Sequence, residues 1–335
     1  MKTSNPPQKS APDQGLPTQV AFVSIDEDQA GQRLDNFLMA RLKGVPKSKV
    51  YNVIRKGEVR VNKGRTKPDY KICKGDEIRI PPIRISEREP VAKASNTMTK
   101  LLDSSILFEN EGLLVINKPP GLAVHGGSGV SLGLIETLRQ MRPDARYLEL
   151  IHRLDRDTSG CIMVAKKRSM LRHLQAALRE KNASGITKVY QALVIGEWPK
   201  SCRRVDAPLL KTEVADDERI VRVHVDGKPS LTEFKLLNSF GRCSLVEARP
   251  ITGRTHQIRV HAQYMGHALV GDEKYGSDDF NAQMRSIGLK RLFLHAAELG
   301  FYLPDAKEKT IVKAPLAADL AAVIEKLSDP KTSSQ

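Results

Sequence analysis

The residues best suited to chemistry in this 335-residue chain lie in one short loop, His152-Arg153-Leu154-Asp155-Arg156-Asp157-Thr158-Ser159-Gly160. Apolar residues lead in (Leu148, Leu150, Ile151) and out (Ile162, Met163, Val164). Strands therefore hold the loop at both ends, which is the setting where catalytic groups collect. Asp157, Thr158, Ser159 and Gly160 can satisfy one another's backbone as an Asx-type turn. That leaves Asp155 and Arg153 without a structural purpose. Arg153 precedes Asp155 by two positions, so in extended chain both point the same way. Two acids sharing a proton at close range would need a second copy of the loop, and no second Asp-Thr-Gly or Asp-Ser-Gly occurs.

A lone working aspartate must stay ionised and aimed, and an arginine within ~4–6 Å serves both ends. The candidate is Arg259 in Thr255-His-Gln-Ile-Arg-Val-His-Ala-Gln-Tyr-Met-Gly266. Helical spacing there predicts one polar stripe of Thr255, Arg259 and Gln263, and one apolar stripe of Ile258, Ala262 and Met265. The preceding Thr252-Gly253-Arg254 adds a flexible turn and a cation near a helix N-terminus, a natural phosphate site. His256, His261 and His267 show no HExxH spacing and no nearby cysteine, so a metal site is not expected. His152 is expected to structure its loop.

Around these groups the chain alternates strand-like and helix-like runs from about residue 101 to 328, a mixed α+β unit. Strands are predicted in ILFENEGLLVINKPPG, LELIH, CIMVAKK, KVYQALVIGEW, RIVRVHVDGKPSLTEFKLLN and CSLVEARP. MLRHLQAALREK and AADLAAVIEKL read as helices, and 329–335 as a polar tail. Residues 1–18 read as a disordered tail and 82–100, which lack periodicity, as a linker. A small separate module covers 19–81. Leu34, Phe37, Leu38 and Leu42 mark its first helix, and Val50, Val53 and Ile54 its second, which Gly57 ends. EVRVNKGR and DEIRIP read as short strands.

Between Gly31 and Ile80 there are 14 Lys/Arg and 5 Asp/Glu, so +9 of the chain's +15 sits in that module. Lys47, Lys49, Arg55 and Lys56 crowd one region, interleaved with Ser48, Tyr51 and Asn52 as in phosphate-binding surfaces. A polyanionic partner, most simply nucleic acid, is expected. No apolar run reaches the ~18 residues of a membrane span, and the N-terminus lacks the apolar core of a secretion signal. Four cysteines, no two closer than the step from Cys161 to Cys202, suit reduced thiols in the cytoplasm.

RLDNFL, PKSKVYNVIRKGEVRVN and KGDEIRI together resemble the S4 RNA-binding domain over residues 31–81. HRLDRDTSG resembles the signature of the RluA family of pseudouridine synthases, and NKPPGLAVHGG (117–127), KVYQALV (188–194) and TGRTHQIRVH (252–261) match its other blocks in order. The resemblance implies a central mixed, largely antiparallel sheet flanked by helices. It implies isomerisation of uridine to pseudouridine in large-subunit ribosomal RNA. The uridine N1–C1′ bond breaks, the base turns, and it rejoins through C5. No cofactor, no metal, no membrane and no obligate protein partner is implied. By the same resemblance Asp155 is the essential residue, acting at C1′ or on the base. Arg259 is the basic partner, Tyr190 lies against the uracil ring and is able to help move the C5 proton, and Arg153 fills the space the extruded base leaves. Lys118 is expected to contact RNA or pack the edge of the site. Two other classes are weighed against this. A non-catalytic assembly factor on the same fold is disfavoured by the presence of Asp155, Tyr190 and Arg259. A glycoside hydrolase would need a second carboxylate as proton donor.

Overall fold

The computed structural model describes residues 19–27, 29–42, 45–83, 93–126, 132–180, 185–213 and 219–329. The expected tail at 1–18, residues 84–92 of the expected linker and residues 330–335 of the polar tail lie outside the described residues. The chain divides into two compact units, Met1–Pro90 and Val91–Gln335.

In the first unit, β1 (Ala21–Ser24), α1 (Leu34–Arg41), α2 (Lys47–Arg55), β2 (Arg60–Val61) and β3 (Glu77–Ile80) follow in order. The strands form an antiparallel sheet, β1-β3-β2. The helical spacing holds: Leu34, Phe37 and Leu38 of α1 meet Val50, Val53 and Ile54 of α2 over Val23, Ile78 and Ile80 in one core. Buried Asp35 joins the helices. It accepts from the Arg33 guanidinium and from the Tyr51 hydroxyl at 3.0 Å, and the Arg33 bond draws its carboxyl down to about 2.

The second unit opens with α3 (Asn96–Ser104), which occupies part of the segment expected as linker. Ser95 caps it, its Oγ accepting the Met98 amide at 3.2 Å, and it buries Leu102 with Met98 packed beside it. With only those two apolar anchors its periodicity is too weak to read in sequence. Then come β4 (Ile106–Glu109), β5 (Leu113–Lys118), α4 (Leu134–Met141), β6 (Glu149–Leu150), β7 (Ser159–Ala165), α5 (Arg168–Ala177) and β8 (Thr187–Ile195). They are followed by β9 (Arg204–Asp206), β10 (Leu209–Glu213), β11 (Arg219–Val223), β12 (Leu231–Ser239) and β13 (Cys243–Pro250). The last elements are α6 (Gln257–Tyr264), α7 (Asp278–Ser286), β14 (Leu294–Phe301), β15 (Thr310–Lys313) and α8 (Ala318–Ser328).

One mixed sheet runs β4-β5-β7-β14-β8-β13-β12-β9, with β6 on β7 and β15 on β14. Its pairings are antiparallel except β7 with β14. Helices cover both faces. α4 packs on Leu114, Ile116, Ile162 and Val164, while α5 packs on Leu113, Val115, Cys161 and Met163 from the other side. α6 covers Ala192, Val194, Val246 and Ala248, and α7 and α8 cover Leu193 and Phe293. Burial on both faces explains why β5 and β7 read as continuous apolar runs. The β10–β11 hairpin stands apart as its own sheet and rests Leu209 and Val221 on Val260 and Tyr275.

Candidate active site

The loop from β6 to β7 carries Asp155 at the edge of a cleft of about 530 Å³. Three contacts fix the loop. His152 Nε2 accepts the Met163 amide at 3.1 Å, and burial, with the Lys188 charge, pushes its imidazole down to about 4, so it stays neutral. The Thr158 amide donates to the Asp155 carbonyl at 3.2 Å, closing a tight backbone turn. Lys118 is wholly buried and its Nζ donates to the carbonyls of Pro119, Leu122 and Arg156 at 2.8 to 2.9 Å. Of the two expectations for Lys118, contact with RNA is thus corrected: the side chain stitches the Pro-Pro-Gly turn to the loop.

The Asx-type turn expected over Asp157–Gly160 is also corrected. Ser159 and Gly160 already belong to β7. The Ser159 hydroxyl pairs with His295 Nδ1 at 2.9 Å. Gly160 has φ +105, and a Cβ there would stand 2.3 Å from the Ala296 carbonyl oxygen. The parallel approach of β7 to β14 is what excludes a side chain at this position.

Asp155 Oδ2 lies 3.4 Å from Arg259 Nη1 and 3.8 Å from His256 Nε2. Arg259 reaches it from α6 and is itself held from behind. Its Nε and Nη2 donate to Oδ2 and Oδ1 of Asp272, each at 2.7 Å, and its Cζ lies 4.9 Å from the centre of the Tyr275 ring. Asp272 is fully buried and Oδ1 also accepts the amides of Lys274 and Tyr275. Burial alone would lower the Arg259 pKa, but the Asp272 bonds and the charges of Asp272 and Asp155 raise it. A bidentate, desolvated pair of this kind fixes direction as well as charge. Gly271 and Asn281 hold the Asp272 segment: Gly271 has φ +76 and donates to Asn281 Oδ1 at 2.7 Å.

α6 begins at Gln257, so Thr255 is off the helix and the stripe expected to include it is shorter. His256, at φ 53, is the turning point. Burial lowers its pKa, against the pull of Asp155. The Tyr275 hydroxyl accepts the Val221 amide at 3.0 Å and lies 2.8 Å from His256 Nδ1. The Tyr275 hydroxyl thus orients the His256 ring, whose Nε2 faces Asp155. Tyr190, on β8, lines the same cleft. Burial, and then the Asp155 charge, pushes its phenol up, so it stays protonated.

Arg153 and Arg254 are exposed at the cleft rim. The turn before α6 is not an open phosphate cradle: Gln257 Oε1 takes both the Arg254 amide at 3.0 Å and the Thr252 hydroxyl at 2.6 Å. Lys47, Lys49 and Arg55 stand exposed on α2, with Lys56 at its C-cap, in the first unit. The structure thus brings Asp155, Tyr190, Arg259, Arg153 and Arg254 to one cleft. It adds Asp272, Tyr275 and His256, which sequence reasoning missed. The signal available was Gly271-Asp-Glu-Lys-Tyr-Gly276, a glycine-bounded acid and tyrosine just after the arginine helix.

Residues 112–264 match the RNA pseudouridylate synthase family and residues 32–78 the S4 domain. Ribosomal large subunit pseudouridine synthase C of Pasteurella multocida is 54% identical over 316 residues, covering 94% of this chain and 96% of that protein. The Escherichia coli protein of the same name is 52% identical over 315 residues, covering 93% and 98%. Among solved structures, human RNA pseudouridylate synthase domain containing 4 superposes with a TM-score of 0.57 at 28% identity, covering 69% of this chain and 96% of that one.

Proposed function

The chain belongs to the RNA pseudouridylate synthase family, and from that premise we propose that it isomerises selected uridines of large-subunit ribosomal RNA to pseudouridine. The observation that carries this reading is the Asp155 carboxylate, 3.4 Å from a guanidinium anchored by a buried acid, in an open cleft. The names of its relatives and the basic S4 module support ribosomal RNA as the substrate. A cytoplasmic site of action fits the free cysteines and the lack, among described residues, of any helix long and apolar enough to cross a membrane.

The target uridine leaves its stack, at a cost of a few kcal/mol, and enters the cleft. Asp155 acts at C1′, or adds to the base, while the N1–C1′ bond breaks. Arg259 aims the carboxylate and sets a fixed positive charge against it, and His256 Nε2 faces the same oxygen. Tyr190 supplies a protonated phenol against the ring, worth ~1–3 kcal/mol in stacking. The raised phenol pKa disfavours phenolate, so we assign Tyr190 to packing and proton donation rather than proton removal. The base then turns and C5 bonds to C1′; C5 gives up its proton and N1 gains one, so nothing is imported. Arg153 fills the vacated stack, and Arg254 with Lys47, Lys49, Arg55 and Lys56 contacts phosphate.

Mapping pseudouridine across ribosomal RNA from cells with and without the gene tests the reading, and specific sites are expected to vanish. Asp155→Asn should lower the rate of the purified enzyme by more than ~10³-fold and leave RNA affinity nearly intact. Turnover near wild type would remove Asp155 from the mechanism.

A further inference from the structure

Lys188 is a cation of the cleft wall that the mechanism leaves unused. It precedes Tyr190 by two residues on β8, so both side chains leave the same face of the strand, and both line the cleft. Other deep cations nearby are matched, Arg259 by two carboxylates and Lys118 by three carbonyls. The Lys188 ammonium has no hydrogen bond or ion pair with any described residue. Its Nζ lies close to Gly253, in the turn that carries Arg254: a Cβ built on Gly253 would stand 3.7 Å from it, at van der Waals contact. Burial pulls its pKa down to about 8.

Lys188 is half-buried in the cleft wall, and a partly desolvated ammonium without a partner costs some stability, a cost a site retains when a ligand supplies the missing charge. The groups sharing this cleft are His152 and Arg153 from the β6–β7 loop, Arg179 beyond α5, and Arg254 and His256 before α6. Asp155 is the one acid among the described lining residues, and Arg259 already engages it. A cation-rich wall with a single, occupied carboxylate suits an anion. Resting on the RNA-substrate reading above, we propose that Lys188, with Arg254 beside it, binds a phosphodiester next to the target uridine and so seats the nucleotide over Asp155. It is a positioning residue for the reaction and needs no covalent step.

The site has a pH signature. A bound phosphate favours charged Lys188, so RNA affinity falls as pH rises through about 8, where the free amine loses its proton. His152 and His256, held low by burial, are neutral through this range, and the phenol of Tyr190 stays protonated.

The test measures affinity of the full-length protein for a large-subunit ribosomal RNA transcript from pH 7 to 9 and across salt, in an Asp155→Asn background so that RNA is not converted. Lys188→Met should weaken binding, lower the slope of log affinity against log salt by about one and abolish the fall above pH 8. It should also raise the melting temperature, which removal of a merely structural contact would not. Lys188→Arg should restore affinity and slope but bind independently of pH. A Lys188→Met protein with unchanged slope and pH profile overturns the proposal, as does a loss confined to kcat in the Asp155 enzyme. Pseudouridine formation by the protein with both Lys188 and Asp155 intact is scored separately. If it forms and the slope is unchanged, only the phosphate site falls; if none forms, the reading beneath it falls as well.

Discussion

The Arg259 guanidinium serves two carboxylates at once, and that geometry explains why an arginine stands there. Nε and Nη2 are committed to Asp272, which leaves Nη1 in the only direction from which it can meet Asp155. A lysine offers the charge but no fixed fork. Arg259→Lys should therefore lower kcat by about 10²-fold, on the scale of a lost transition-state donor, with RNA affinity nearly unchanged. Single-turnover rates beside binding curves check this, and equal losses in both would make Arg259 an RNA contact. Much of the site was legible at this scale. Asp155, Tyr190 and Arg259 stand in compact blocks whose residue types suit the chemistry. Asp272 was not, because its partner lies 13 residues earlier across a helix end and a turn, and neither strand nor helix spacing links the two. For Lys118 the sequence leaves two readings open, RNA contact or packing at the edge of the site, and only the three inward carbonyls remove the first.

At the scale of elements, the parallel pair β7–β14 sets where the loop begins. Gly160 lets the two strands close, so Gly160→Ala must push the Ala296 carbonyl aside and accept a left-handed backbone. We expect a loss of about 3 kcal/mol, measured by urea unfolding; a loss below about 1 kcal/mol would mean that the strands shift freely. Sequence spacing revealed β5, β7, β8 and β13, whose apolar residues fill both faces of the sheet, and α1, α2, α5 and α8. It missed β14, although that strand is central, because His295, Ala296, Ala297 and Glu298 break its apolar run. Those small residues are there for close approach, and His295 is there for Ser159. The start of α6 was misjudged by two residues since His256 turns left-handed to meet Tyr275, a tertiary contact that no local pattern carries.

Across the whole molecule, two units have separate cores: the first holds the S4 match and the second the cleft around Asp155. Removing residues 1–90 should weaken RNA binding and flatten its salt dependence while the second unit still folds; an unchanged salt slope would mean the basic face is not an RNA anchor. Each unit also carries a buttressed acid: Asp35 beside Arg33 in the first, and Glu109 with Arg142 and Lys166 in the second, both drawn down to about 2. An unfolded chain titrates these groups near ~4. Between those values the unfolded state takes up protons that the native state refuses, so the stability they contribute is full above about 4 and is lost as pH falls toward 2. Trp198, the single tryptophan, is buried in the second unit, so its fluorescence follows that unit alone. Glu109→Gln should flatten the fluorescence-monitored loss of stability between pH 4 and 2, and Asp35→Asn should leave it unchanged. If both substitutions flatten it equally, the two units unfold as one.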